Sequence, residues 1–350
     1  MTTSPTGQFE STPRATLADV ARLADVSAKT VSRVMSGDGS VSAQTRERVM
    51  LASKRLRFRP NSLARNLRHG GVTSTVAFVI GDIQNPFYFH VAAGVEKELA
   101  SQGLTMLLAT TDDSPGSEAV VVDTLLAQRV RALLIVPIAD DQSYLEGERQ
   151  LGTPVVCVDR PGHNLVADSV VLQNRAGAAA AVRSLVEAGH RKIGFICSPA
   201  ELYTHQERLA GVRGALLEVG ITDSARWERL GPVDGPSAEE SVRDLMSMDD
   251  PPTAIIGGNN RASAGVIREI INRERRVAFI GFDDFELADS LGISVIGYDT
   301  MEMGRQAARL ALARLADPSG PPRQVEIPTM LIKRGSGEFA PPDPESVRLP

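Results

Sequence analysis

Apolar positions recur at helical spacing in three short stretches near the start of the chain. Leu17, Val20, Ala21 and Leu23 share one face of a predicted first helix. Thr16 and Asp19 stand in the capping-box spacing that opens such a helix. Asp25-Val26-Ser27 interrupts the pattern, and Ser27 can cap a second helix, Ala28 to Met35, with Val31 and Val34 facing inward. After the loop Gly37-Asp38-Gly39, Ser42 can cap a third helix running to about Leu56. Three short helices with a tight turn between the first two predict a helix-turn-helix head over 15–59. Pro60 ends it, and Asn61 can cap one short helix, Ser62 to Arg68, within a hinge and linker over 60–71. Seven residues make a marginal helix in water, so that helix should order only when packed.

From Thr75 the pattern changes. Apolar runs at 75–81, 104–110, 132–136, 155–158, 192–197, 253–256, 277–281 and 293–297 are bounded by turns. Amphipathic stretches lie between most of them, among them Phe87–Gln102, Arg175–Ala188, Tyr203–Val219 and Met301–Ala316. Buried strands alternating with helices predict α/β structure with parallel sheets covered on both faces. Roughly 260 residues exceed what one sheet usually carries, so two doubly wound lobes are expected in a body over 72–334. The first lobe is placed at about 72–172 plus 299–320, the second at about 173–298 plus 321–334. Doubly wound sheets bind ligands at the carboxyl ends of their strands, which puts a ligand between the lobes. Residues 1–14 and 335–350 read as a flexible and a disordered tail.

Composition narrows the class. The 350 residues are 42% apolar and 23% charged, as in globular proteins. No apolar run approaches the length of a membrane span, and Met1 to Pro13 has neither the basic start nor the apolar stretch of a secretory signal. A cytoplasmic protein without a membrane partner is expected. Cys157 and Cys197 each sit in an apolar run, as buried free thiols do. The formal charge of −5 is unevenly spread. Residues 1–71 hold 12 Lys and Arg against 5 Asp and Glu, and the remainder 26 against 38. A basic head on an acidic body is expected where only the head meets phosphate, although a solvated basic face gives the same count.

Phosphate-loop, dinucleotide-fold and zinc-protease motifs are missing, and His69, His90, His163, His190 and His205 are scattered. No enzyme activity, cofactor or metal is expected, and His190 reads as a solvated helix exit. In the head, Ala28, Lys29, Thr30 and Arg33 lie on the exposed start of the second helix. A helix in the major groove reads bases from its first turns, where arginine suits guanine. Thr30 and Ser32 offer hydroxyls suited to phosphates.

Three motifs, Thr16-Leu17-Ala18-Asp19-Val20-Ala21, Val26-Ser27-Ala28-Lys29-Thr30-Val31-Ser32-Arg33-Val34 and Arg59-Pro60-Asn61-Ser62-Leu63-Ala64-Arg65-Asn66-Leu67, resemble the head and hinge of the lactose/galactose repressor family. Asp82-Ile83-Gln84-Asn85-Pro86-Phe87-Tyr88, Val158-Asp159-Arg160-Pro161, Arg208-Leu209-Ala210-Gly211 and Gly281-Phe282-Asp283-Asp284 continue the likeness in family order, over about residues 15 to 334. The resemblance implies a DNA-binding transcriptional regulator, expected to act as a repressor. Its body would dimerise and bind a small-molecule effector, expected to be a sugar or sugar derivative. The DNA partner would be a double-stranded operator forming an imperfect palindrome. By the same resemblance Lys29 and Arg33 read bases beside Ala28, and Leu67 is the hinge leucine that wedges into the minor groove. Thr16, Ser27, Thr30, Ser32 and Asn61 complete the expected DNA-contacting set.

In the body, Arg208 matches the family's effector-binding arginine, and Asp283 and Asn259 match polar residues at strand ends. Thr204 lies one helical turn before Arg208. Asp159 and Arg160 sit where a strand leaves the first lobe, and their pairing could instead lock the lobes. Phe87 and Tyr88 could supply an apolar wall. The chain departs from the family at Asn259-Asn260, where Asn-Asp is frequent, and at Tyr298, where glutamine is common, so its ligand is expected to differ from the well-known sugars. Two other classes compete: a sugar-binding transport protein, which would have no use for residues 15–68, and a nucleotide-dependent enzyme, which would need a phosphate loop.

Overall fold

The computed structural model describes residues 14–59, 73–198, 201–231, 235–270 and 276–342. They form two compact units, one ending at Thr73 and the other beginning at Ser74.

In the head, α1 (Leu17–Ala24) opens with the expected capping box: the Asp19 amide donates to Thr16 Oγ1 at 3.3 Å, and the Thr16 amide to Asp19 Oδ2 at 2.9 Å. Asp25 ends α1 in the left-handed region, φ 51°, and turns the chain into α2 (Ala28–Met35), capped by Ser27. Asparate at such a position costs less than a β-branched residue would, because its short side chain can bond locally. The longer α3 (Ala43–Arg55) starts at Ser42. Val20, Val31, Val34 and Val49 make the core that sets α1 against α2 and α3. The hinge residues Asn61 and Leu67 lie outside the described residues.

The body contains two six-stranded sheets with nearly the same construction. The first has the order β11-β5-β4-β3-β1-β2, all parallel, from β1 (Thr75–Ile80), β2 (Thr105–Thr110), β3 (Leu133–Ile135), β4 (Val155–Asp159), β5 (Asp168–Leu172) and β11 (Gln324–Ile327). The second has the order β12-β10-β9-β8-β6-β7, from β6 (Ile193–Cys197), β7 (Glu228–Leu230), β8 (Ala254–Gly257), β9 (Ala278–Phe282), β10 (Ser294–Gly297) and β12 (Met330–Ile332). Only β12 runs antiparallel to its neighbour. Apolar clusters on both faces of each sheet join it to its helices. On the first sheet the helices Pro86–Ser101 and Thr300–Ala316 approach closely, because a Cβ at Gly94 would collide with the Met301 carbonyl and one at Gly304 with the Val91 carbonyl.

The lobe boundaries need two corrections. Residues 321–334 do not belong wholly to the second lobe: β11 pairs with β5, from Gln324 opposite Ser169 to Ile327 opposite Leu172, so the chain leaves the first sheet only after it. The chain therefore passes between sheets three times, after β5, β10 and β11. Residues 335–342 are not a disordered tail. The Phe279 amide donates to Ser336 O at 2.8 Å, and the Ser294 amide to Ser336 Oγ at 2.8 Å. Phe339 O lies 2.9 Å from His190 Nε2. His190 is accordingly buried and is no solvated helix exit. The carbonyl can only accept, so Nε2 carries the proton and Nδ1 accepts from Thr253 Oγ1 at 2.8 Å.

Candidate functional site

The turn before α2 and its first residues present Ser27, Ala28, Lys29 and Arg33 outward together, with Thr30 and Ser32 half-buried beside them. The hydroxyls are partly committed to the backbone. Ser27 Oγ accepts from the Thr30 amide at 3.1 Å and lies 2.9 Å from Thr30 Oγ1, while Thr16 Oγ1 donates to Asp19 Oδ2 at 2.7 Å. Arg33 Nε stands 3.5 Å from Asp38 Oδ2, an exposed pair of small net strength that a stronger acceptor can displace. Lys29 and Arg33 are thus long cations on a rigid helix, each able to extend outward.

In the body, the strands' carboxyl ends meet across a cleft of about 590 Å³. The first lobe contributes Phe87, Tyr88, Asp159 and Arg160, and the second Thr204, Arg208, Asn259 and Asp283, with Tyr298 on the crossing from β10. All nine body residues expected at the site line this one cavity. Arg208 sits in the second turn of the helix Tyr203–Glu218, with Thr204 one turn earlier. Its Nε donates to Asn174 Oδ1 and its Nη1 to Gly258 O, both at 2.7 Å. Its guanidinium lies over the Phe282 ring, 4.1 Å from the centroid, and Nη2 is 4.0 Å from Asp283 Oδ1. Phe282 and its neighbours therefore hold the planar fork in one orientation.

Asp283 accepts from the Tyr298 hydroxyl at 2.5 Å and from the Asn260 amide at 3.0 Å. Burial and the facing Asp283 carboxylate push the Tyr298 phenol well above its usual range, so it remains a donor. Arg160 Nη2 donates to Tyr88 Oη at 3.2 Å and pairs with Asp159 Oδ2 at 3.2 Å. This pair lies within the first lobe, so it does not lock the lobes together. Burial raises the Asp159 carboxyl above its ordinary value, against the pull of Arg160 and Arg208. Asn259 Nδ2 donates to Ser198 Oγ at 2.8 Å, and its Oδ1 accepts from the Ala262 amide at 2.8 Å. Phe87 packs edge-on against both Tyr88 and Tyr298 and forms an aromatic wall.

Contacts that do bridge the lobes come from residues outside the expected effector-binding set. Asn260 Nδ2 donates to Asn85 Oδ1 at 2.7 Å, and Arg261 pairs with Asp82 and, at 3.8 Å, with Asp113. Asn260 occupies one of the departures from the family pattern, and an aspartate there could not make that donation. Asp113 and Asn174 follow the ends of β2 and β5, so the rule that ligands gather at strand carboxyl ends could have found them. The two cysteines are buried, and burial pushes each thiol up to about 12, away from any reactive thiolate. Among the described residues no cluster of His, Cys, Asp and Glu is set to hold a metal, and no helix is long and apolar enough to cross a membrane.

A helix-turn-helix head carried on a two-sheet body with a polar interlobe cleft defines a ligand-responsive, DNA-binding regulator of transcription. Residues 16–61 match the family described as bacterial regulatory proteins, lacI family, and residues 182–337 match a periplasmic binding protein-like domain. The chain is 30% identical over 311 residues to the ribose operon repressor of Haemophilus influenzae, covering 87% of this chain and 93% of that one. It superposes on the lac repressor dimer bound to operator and the anti-inducer ONPF with a TM-score of 0.82 and 25% identity, over 94% of this chain and 100% of the other. The structure of a transcriptional regulator CelR–cellobiose complex matches at 29% identity and a TM-score of 0.69, over 92% and 100%. The chain belongs to the lacI family of bacterial regulatory proteins.

Proposed function

We propose that this protein is a cytoplasmic, non-enzymatic repressor that works as a homodimer on an imperfectly palindromic operator, with its affinity set by a sugar or sugar derivative in the interlobe cleft. The observation that carries the reading is the convergence of Asp159 from one lobe with Arg208 and Asp283 from the other on a single cavity. Carboxylates beside a guanidinium can engage the donor and acceptor of neighbouring hydroxyls together. The names of the similar proteins support a carbohydrate: one is a ribose operon repressor and another is bound to cellobiose.

On this reading Lys29 and Arg33 reach base edges, Ser27, Thr30 and Ser32 meet phosphates beside them, and Leu67 wedges the minor groove. A ligand acts only through its different affinity for two arrangements of the lobes. Since three chain crossings and the Asn85–Asn260 contact tie the lobes together, a ligand touching both changes their balance. The test uses an operator selected by the full-length protein from random-sequence DNA. Arg33→Ala should weaken binding by about 1–3 kcal/mol and relax the preference at one symmetric base pair. Unchanged affinity and preference would remove Arg33 from the reading set.

A further inference from the structure

Beyond α2 the chain runs Ser36-Gly37-Asp38-Gly39-Ser40, with one acid between two glycines. Gly37 adopts φ 78°, a left-handed conformation that glycine takes without strain, and turns the chain back onto the helix. Ser36 caps the helix, the Gly37 amide donates to Val34 O at 3.2 Å, and the Asp38 amide donates to Arg33 O at 3.0 Å. This pair of bonds is the Schellman ending of a helix, which brings the second residue past the cap against the last turn. An apolar contact often accompanies that ending. Here the two residues it brings together are Asp38 and Arg33, with Oδ2 3.5 Å from Nε.

Asp38 is itself held from two further sides. Its Oδ1 accepts from the Ser40 amide at 2.8 Å, and its carbonyl accepts from Arg46 Nη2 of α3 at 2.6 Å. Hydrogen bonding by Ser40, and after it the charges of Arg33 and Arg46, keep the Asp38 carboxyl below its ordinary value, so it is ionised at neutral pH. A fixed negative charge therefore stands beside a long cationic side chain. It stands at Nε, the inner end of the guanidinium, and the outer edge with its two terminal nitrogens can still meet two acceptors. Guanine offers two such acceptors in the major groove, O6 and N7. A phosphate differs, because it brings negative charge toward the same carboxylate. Water screens that repulsion around the free head, but little water separates a seated helix from the groove.

We propose that Asp38 is a specificity-determining positioning residue, which steadies Arg33 at Nε for end-on contact with a base and disfavours its diversion to phosphate. This rests on Arg33 being a base reader. The experiment titrates the full-length protein with its selected operator, with operators changed at each base pair, and with random-sequence duplex. Parent, Asp38→Asn, Arg33→Ala and the double variant are compared. Asp38→Asn keeps an oxygen for the Ser40 amide and removes the charge. It should reduce discrimination by about threefold or more at the symmetric base pair that Arg33→Ala relaxes, with the other positions unchanged. Binding to random-sequence duplex should tighten, and its salt dependence should steepen by about one phosphate contact, as Arg33 turns to the backbone. In the Arg33→Ala background the same substitution should alter neither base preference nor salt dependence. Asp38→Ser also offers the Ser40 amide an oxygen and should give the same pattern, so a folding defect in one variant leaves the other as the test. Unchanged discrimination in these variants, or an equal change at every base pair, overturns the proposal. If Arg33→Ala keeps the full base preference, the base-reading role of Arg33 falls and the inference with it. If Arg33→Ala relaxes one base pair and the Asp38 variants do not, only the role of Asp38 is refuted.

Discussion

Asp159 and Asp283 share an unusual backbone, each with φ 72°, in the left-handed region that side chains normally avoid. They stand at the carboxyl ends of β4 and β9, strands that occupy the same place in the two sheet orders. Each sheet thus aims one aspartate into the cleft from a sharp turn, and aspartate tolerates that turn better than most residues. Asp283 also satisfies the Tyr298 hydroxyl and the Asn260 amide. Asp283→Ala should lose those bonds and keep the unfavourable φ, costing about 2 kcal/mol or more in stability. Asp283→Asn retains an acceptor and tolerates the turn, so it should cost less than half as much. Urea unfolding of both variants checks this, and equal losses would show that the turn does not matter.

Helices and strands position these side chains, and the segment 335–342 belongs to that scaffold. Ser336 bonds β9 and the residue that opens β10, while Phe339 covers His190. Burial lowers the His190 pKa below its ordinary value, opposed by the hydrogen bond to Phe339 O. Unfolded chains therefore bind a proton, below about pH 6.5, that the folded protein refuses. The stability from neutral, buried His190 is fully present above that pH and is lost as pH falls toward the folded value. Thermal unfolding between pH 7.5 and 5 should show a declining Tm whose slope flattens in His190→Gln. A slope unchanged by that substitution would assign the effect to other groups.

At the scale of the whole molecule, the distribution of charge separates two binding modes. The first 71 residues carry a net positive charge within a chain of net charge −5, so DNA binding should depend steeply on salt. The proposed ligand replaces no counterions, and its affinity should change little between 50 and 200 mM salt. The body should also set two heads on one operator. Light scattering of the protein at micromolar concentration should give twice the 37.4 kDa chain mass, and footprinting should give two symmetric half-sites. A mass of one chain under those conditions would contradict the dimer.

The sequence by itself determined the head and the two-lobed body, because helical and strand periodicities are local properties. Eight apolar runs correspond to β1, β2, β3, β4, β6, β8, β9 and β10, of which all but the half-buried edge strand β2 are buried and lie inside their sheets. It also brought forward the nine cleft residues, mainly through an ordered set of motifs. The strands β5, β7, β11 and β12 escaped the pattern. Asp168 and Ser169 break the apolar run of β5, and Asp168 is tolerated in the interior only because Arg314 and the Arg323 amide meet it at 2.7–2.8 Å. β7, β11 and β12 are short edge strands with exposed positions, which pair only because a sheet is there to receive them. Tertiary structure alone decided that β11 stays with the first sheet, that His190 is buried, and that Asn260 and Arg261 reach across the cleft. Those contacts join residues 63 to 179 positions apart, and no local pattern encodes a partner at that distance.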